Sequence, residues 1–199
     1  MERLAVMTAG MTHSGKTTFA NRLAEVLPGS VVIDQDIQAR FLNTHYPMLL
    51  PERGPNEIKH ALTQCIVEHA VAKTSLHLIL SNSNLGTESR RRWLAYYKDQ
   101  GLVTVLVSFD LEEHRLRRRI RESTRSTDIF RVSLSYDGLL DRQMKKIPGV
   151  QPEPDEADHV LTIKSEEDVQ RVINRILEIT DGKGRRILRS WWTRTAVRS

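Results

Sequence analysis

The run Gly10-Met11-Thr12-His13-Ser14-Gly15-Lys16-Thr17 meets every fixed position of the pattern G-x-x-x-x-G-K-[ST]. This pattern constrains the fold because it works only as a turn between a strand and a helix. The flanks match that demand: the apolar run Leu4-Ala5-Val6-Met7 leads in, and a helical pattern from Thr18 to Leu27 leads out. In such a turn successive backbone N–H groups curl around a phosphate, and the positive end of the helix faces the negative charge. Residues Gly10 to Thr18 are therefore the expected cradle, with Lys16 bridging the β- and γ-phosphates and the Thr17 hydroxyl as a ligand for Mg²⁺.

Beyond the turn, short apolar segments alternate with helical patterns, which predicts a parallel sheet covered on both faces, a three-layer α/β/α sandwich. The strands expected are Leu4–Thr8, Val31–Asp34, Leu76–Ser81, Val103–Phe109 and His159–Ile163. Helical periodicity covers 17–26, 57–73, 88–100, 111–124, 134–144 and 166–180. The stretch 41–55, with Pro47, Pro51, Gly54 and Pro55, is not expected to be regular throughout. A chain of 199 residues suits one such domain, placed at 1–181, with Pro148-Gly149 and Pro152-Glu153-Pro154 as a stiff approach to the last strand. A basic tail, 182–199, follows and carries Trp191-Trp192.

Charge narrows the function less than the formal +5 implies. Six basic residues and no acid fall in the tail, so the body is close to neutral and bulk charge does not make this a nucleic-acid binder. Cys65 is the single cysteine, which excludes an internal disulfide and a multi-cysteine zinc site. It falls on the stripe Ala61, Leu62, Cys65, Ile66, Ala70 and is read as a buried structural thiol. No apolar run is long enough to span a bilayer, and Glu2 and Arg3 lead straight into the first strand, so the expectation is a cytoplasmic protein.

Three further clusters carry chemistry. Strand two ends in Asp34-Gln35-Asp36, at the sheet edge where open α/β folds bind ligands. An attacking hydroxyl needs its proton accepted, and Asp36 is the first choice for that base. Asp34 is the second, with a role towards Mg²⁺ or the acceptor through water as its alternative. A helix N-cap would also account for Asp36, but the loop upstream favours the base. Arg40, one helical turn on, can hold an anionic group of the acceptor. Strand three ends in Ser81-Asn82-Ser83-Asn84-Leu85, without the acid that hydrolytic motor ATPases place there; Asn82 and Asn84 are candidates to position the acceptor or the γ-phosphate. After strand four come Arg115, Arg117, Arg118, Arg119, Arg121, Arg125 and Arg131. Arg117, Arg121 and Arg125 repeat at helical spacing. Arginine suits bidentate contact with phosphate oxygens, so a lid at about 112–135 is expected to bring Arg118, Arg121 or Arg125 to the nucleotide, with Arg125 at its tip. A solvated helix face explains the remainder.

The loop, the Asp-x-Asp strand end, the Ser-Asn-Ser-Asn-Leu strand end and the arginine segment, in this order, resemble a P-loop kinase. The resemblance is to the branch of polynucleotide 5′-kinases and zeta-toxin-like or small-metabolite kinases, and it spans about Leu4 to Leu177. It implies a five-stranded parallel sheet of order 2-3-1-4-5, ATP with Mg²⁺, an aspartate base on the second strand and an arginine lid. The polynucleotide branch ends its third strand in Asp-Thr-Asn-Leu; Asn82-Ser83-Asn84-Leu85 replaces that acid with an amide, which weighs against a nucleic-acid end as acceptor.

Two function classes follow. One is an ATP-dependent phosphotransferase acting on a hydroxyl of a small molecule, a nucleotide-type compound or a polynucleotide 5′-end, the small acceptor ranking first. The other is a nucleotide-dependent binding module with little phosphotransfer, engaging a partner through the basic tail. No Asn-Lys-x-Asp motif follows strand four, so nothing favours guanine.

Overall fold

The computed structural model describes residues 2–52, 54–130, 135–146 and 151–182. Arg131 and the tail from Lys183 to Ser199, with Trp191-Trp192, lie outside the described residues.

Five strands, β1 Leu4–Gly10, β2 Ser30–Ile33, β3 His77–Leu80, β4 Val103–Phe109 and β5 His159–Ile163, form one parallel sheet in the order β2-β3-β1-β4-β5. The central strand β1 pairs with β3 on one side and along its full length with β4 on the other, from Leu4 opposite Val103 to Gly10 opposite Phe109. Parallel neighbours need crossover connections, and helices supply them. They are α1 Lys16–Val26, α2 Gln35–His45, α3 Glu57–Lys73, α4 Thr87–Asp99, α5 Glu113–Glu122, α6 Tyr136–Lys146 and α7 Glu167–Thr180.

The period of two along β1 divides the core. Leu4 and Val6 face α1 and α7, meeting Phe19, Leu23, Ile173 and Ile176. Ala5, Met7 and Ala9 face the other layer, with Val67 and Val71 of α3 and Leu94 and Tyr97 of α4. With both faces covered, every β1 residue is buried, and its sequence is an apolar run broken by Thr8 rather than an alternation. Among the described residues no helix is long and apolar enough to cross a membrane.

Several expectations change. Asp34 lies after β2 rather than in it, and Ile37–Phe41 belongs to a full helix that runs to His45; only then do Tyr46 and Pro47–Leu49 break the pattern, as a short 3₁₀ turn. The arginine helix stops at Glu122, so Arg125 sits in the segment after it and does not share a helical face with Arg117 and Arg121. The buried stripe of α3 is Thr63, Val67, Ala70 and Val71, and Cys65 is exposed. Ala61, Cys65 and Ile66 are apolar enough to make a stripe, but the sheet and α2 contact the adjoining face.

Candidate active site

The phosphate loop occupies the carboxyl end of β1, at the floor of a cleft of about 1030 Å³. Two glycines allow its path. A Cβ on Gly10 would stand 2.8 Å from Cβ of Phe109, and Gly15 has φ 99°, a left-handed conformation, at the N-cap of α1. His13 is also left-handed, φ 57°. Left-handed residues at 13 and 15 turn successive N–H groups to one side, the concave form that receives anions. Gly10 N–H is tied to the Ser83 carbonyl at 2.9 Å, which joins the loop to the end of β3.

Lys16 curls back along this concavity. Its Nζ donates to the Met11 carbonyl at 2.5 Å and to Ser14 Oγ at 3.1 Å. Burial pushes its ammonium down to about 8, with Arg125 acting in the same sense, while Asp36 and Asp34 act against them. The cradle is thus positive and poorly hydrated, an arrangement that rewards the arrival of negative charge.

Asp34 is buried, and both of its oxygens are engaged. Oδ1 accepts the Asp36 N–H at 2.9 Å, which makes Asp34, not Asp36, the N-cap of α2. Oδ2 accepts Thr17 Oγ1 at 3.1 Å, and Ser81 Oγ lies 3.4 Å from the same hydroxyl. Burial raises the Asp34 carboxyl, against the hydrogen bonds that favour its charged form. Asp36, in the first turn of α2, projects into the cleft and accepts Arg125 Nη2 at 2.5 Å. Arg125 also lies over the Tyr136 ring, 5.4 Å from its centroid.

Arg125 is part of a larger docking of the segment 123–130 onto α2. Arg40 Nε meets Asp128 Oδ2 at 3.1 Å, and Asn43 Nδ2 donates to the Asp128 carbonyl at 2.6 Å. Tyr136 O–H donates to the Ser126 carbonyl at 2.6 Å, and the Tyr136 ring meets His13 edge-on at 4.5 Å. Burial first, then Arg125 and Lys16, push the His13 imidazole below its ordinary value.

The structure brings Lys16, Thr17, Thr18, Asp34, Asp36, Arg40, Asn82 and Arg125 to one cleft, together with Thr12, His13, Ser14 and Gly15. Arg118 and Arg121 are not among its walls; both are exposed, and Arg118 lies 3.9 Å from Glu122. Arg119 takes the place expected of them. Its Nη1 donates to the Ser14 carbonyl at 3.2 Å and approaches the His13 carbonyl at 3.4 Å, while Nη2 pairs with Glu166. The phase of α5 is the signal that selects it: Leu116 is buried, and Arg119 lies three residues on, on the inward side. Gly10 and Met11 do not line the cleft; the Met11 carbonyl faces Lys16. Asn84 does not line it either. Its amide donates to the Thr8 carbonyl at 2.8 Å and so fixes the turn, whereas Asn82 Oδ1 accepts the Gln35 N–H at 2.9 Å at the head of α2.

A buried ion pair, invisible in the sequence, anchors this turn. Arg90 and Glu156, both buried, meet through Nε and Nη2 at 2.6 and 2.7 Å, and Arg90 Nη1 donates to the carbonyls of Asn84 and Leu85.

Residues 6–146 match the family described as AAA domain. No curated protein matches the chain by sequence. Among solved structures, Chaetomium thermophilum Kti12 in complex with ADP-AlF3 is similar at TM-score 0.61 and 15% identity, over 87% of this chain and 97% of that one. The Mycobacterium tuberculosis APS kinase CysC, in complex with AMPPNP and APS, is similar at TM-score 0.56 and 18% identity, over 87% and 96%. Bacteroides thetaiotaomicron shikimate kinase gives 0.55 and 16%, over 89% and 98%. With the phosphate loop, the sheet order and this match over most of its length, the chain belongs to the AAA domain family and has the P-loop kinase fold.

Proposed function

We propose that the chain is an ATP-dependent kinase that transfers the γ-phosphate to a hydroxyl of a small acceptor held between α2 and the segment 123–130. The observation that carries this reading is that Asp36 and Arg125 line the same cleft as Lys16 and act on its charge. A phosphoryl transfer needs a carboxylate to receive the acceptor's proton and cations to meet the charge of the transferring group. Asp36 is the carboxylate that projects into the cleft, with Arg125 on one of its oxygens. Both Asp34 oxygens are committed to the α2 cap and to Thr17, which supports a role for Asp34 on the metal side. On binding, Arg125 exchanges its Asp36 partner for the phosphoryl group, which leaves the Asp36 carboxylate free to accept a hydrogen bond from the acceptor hydroxyl.

The residues fit Mg²⁺. Thr17 Oγ1, Asp34 and Ser81 offer oxygen donors alone, as a hard, small cation requires. Among the described residues there is no cluster of three or more His, Cys, Asp or Glu, so phosphate oxygens and water would complete the coordination. When bound, the ion neutralises charge on the β- and γ-phosphates.

Arg119, against the outer side of the loop, supports the nucleotide from beyond Gly15, where a Cβ would approach Arg119 Nη1 at 3.4 Å. Arg40 and Asn82 stand on the acceptor side. The names shikimate kinase and APS kinase among the fold relatives favour a small acceptor over a polynucleotide end. The binding-module reading draws on Ser81, where an acid would serve hydrolysis, and on the similarity to Kti12.

Transfer of labelled γ-phosphate from ATP to panels of metabolites, nucleotide-type compounds and 5′-hydroxyl oligonucleotides tests the proposal. Label should pass to a small alcohol. Replacing Asp36 by Asn should lower kcat by at least about 100-fold, within the range of general-base catalysis, while ATP affinity changes little. Tight ATP binding with no transfer to any panel would leave the binding module as the function.

A further inference from the structure

The face of α6 turned to the phosphate loop carries Tyr136, Leu139 and Gln143, spaced three and four residues apart, and all three line the cleft. Tyr136 meets the His13 ring. Gln143 does something more specific: its Oε1 accepts the backbone N–H of Thr12 at 2.8 Å, across 131 positions of sequence. Thr12 is 6% exposed, so this N–H needs a partner within the protein. A backbone N–H can only donate, and that fixes the orientation of the carboxamide. Oxygen faces Thr12, and Nε2, with its two protons, is the end left to the cleft. Among the described residues Nε2 makes no hydrogen bond.

We infer that Gln143 is a neutral donor from α6 to the terminal phosphate of the bound nucleotide, held in register by its own bond to the loop. The inference rests on the nucleotide-binding reading above and adds a contact to it. The chemistry suits the place. Lys16, Arg125 and Arg119 already supply positive charge around the loop, and a carboxamide adds a directed N–H without further repulsion among cations. A planar group anchored at one end also loses little freedom when the other end engages. Because the anchor is on the first half of the loop, the donor is placed at the γ-phosphate end rather than at the base. A triphosphate gains from it and a diphosphate does not.

The test compares binding of MgAMPPNP and MgADP to the full chain by calorimetry, for the wild type, Gln143→Glu and Gln143→Ala, with thermal melting as a check on folding. Gln143→Glu is the decisive variant. Its carboxylate still accepts from Thr12 N–H, so the anchor persists, but the donor has become an oxygen. The expected result is a loss of AMPPNP affinity of about tenfold or more in Gln143→Glu, with ADP affinity within about threefold of wild type, since a hydrogen bond to a charged group is at stake. Gln143→Ala should show the same loss of preference. Gln143→Glu with wild-type affinity for both nucleotides overturns the inference and leaves Gln143 as an anchor alone. Equal weakening of both nucleotides also overturns it. A wild type that binds neither nucleotide overturns the nucleotide reading itself, and this inference with it.

Discussion

Replacing Lys16 by Met should make the nucleotide-free protein more stable at neutral pH, although Lys16 is the loop's central cation. The ammonium is held at about 8 against an ordinary 10.5, chiefly by burial. A shift of this size corresponds to about 3 kcal/mol against the charged form. The stem is partly accessible to solvent and Nζ keeps bonds to the Met11 carbonyl and Ser14 Oγ, so the net gain on substitution is about 1–2 kcal/mol. For a chain of this length that raises the melting temperature by roughly 3–6 °C. The pH dependence has a definite sign. Below about pH 8 both folded and unfolded chains carry the proton, and the full penalty applies to the wild type. Between about 8 and 10.5 the folded state has released it and the unfolded state has not, so wild-type stability rises relative to the variant and the gap closes. Scanning fluorimetry of the two proteins at pH 7, 9 and 10.5 reads this directly, because other titrations cancel in the difference. Added MgATP should reverse the order at pH 7, since only the wild type then has phosphates to meet its charge. A variant that melts below the wild type at pH 7 without nucleotide, or a gap that does not narrow by pH 10.5, would refute the reasoning.

Arg119→Ala should weaken ATP binding by about five- to tenfold, the low end for bonds from a charged donor because both contacts are long, whereas Arg118→Ala should change it less than twofold. Equilibrium titration of both variants checks the contrast, and equal effects would contradict the placement of α5. Glu156→Leu should destabilise by about 3–5 kcal/mol, since it strands the Arg90 guanidinium, and adding Arg90→Leu should restore much of the loss, as urea melts of the single and double variants will show. Burial opposes the charge of Glu156, but bonds from Arg90 and the Glu153 N–H hold its carboxyl below its ordinary 4.5. The pair's contribution is therefore complete above pH 4.5 and is lost as pH falls through the lowered value, so the double variant should show a shallower acid limb.

The parts of this molecule legible in its sequence are those fixed by local chemistry. The strand-loop-helix unit around Lys16 needs only a spacing of glycines and a run of apolar residues. The same holds for β4 and β5, whose limits fall where the apolar runs fall, at Val103–Phe109 and His159–Ile163. The order of the strands came from resemblance and not from any residue in them. What the sequence conceals is long-range pairing. Nothing near Arg90 announces Glu156, 66 positions away, and nothing near Thr12 announces Gln143. The choice among the arginines also turned on phase. Arg118, Arg119 and Arg121 are equivalent in composition, and only the inward direction of Leu116 separates them. For α3 the apolar residues form two overlapping stripes, and tertiary packing selected the one through Val67 and left Cys65 outside.

Arg125 with Asp36 and Arg40 with Asp128 join the two sides of the acceptor space through their own charges. Each pair is between about a third and a half exposed, and pairs of this kind contribute only about 0–1 kcal/mol. Contacts so weak satisfy the charges while leaving them available. On the proposed function, an acceptor bearing a hydroxyl for Asp36 and an anion for Arg40 would substitute one partner for another at each residue, with little lost in the exchange. The contacts made by the buried side chains Asp34, Arg90 and Glu156 behave differently. Thr17 with Asp34 ties α1 to the head of α2, and the Arg90–Glu156 pair holds the turn after β3. The division follows burial: on the proposed function, the loop and the β3 turn are held through buried side chains, and the side that would admit an acceptor is closed by pairs that water already competes for.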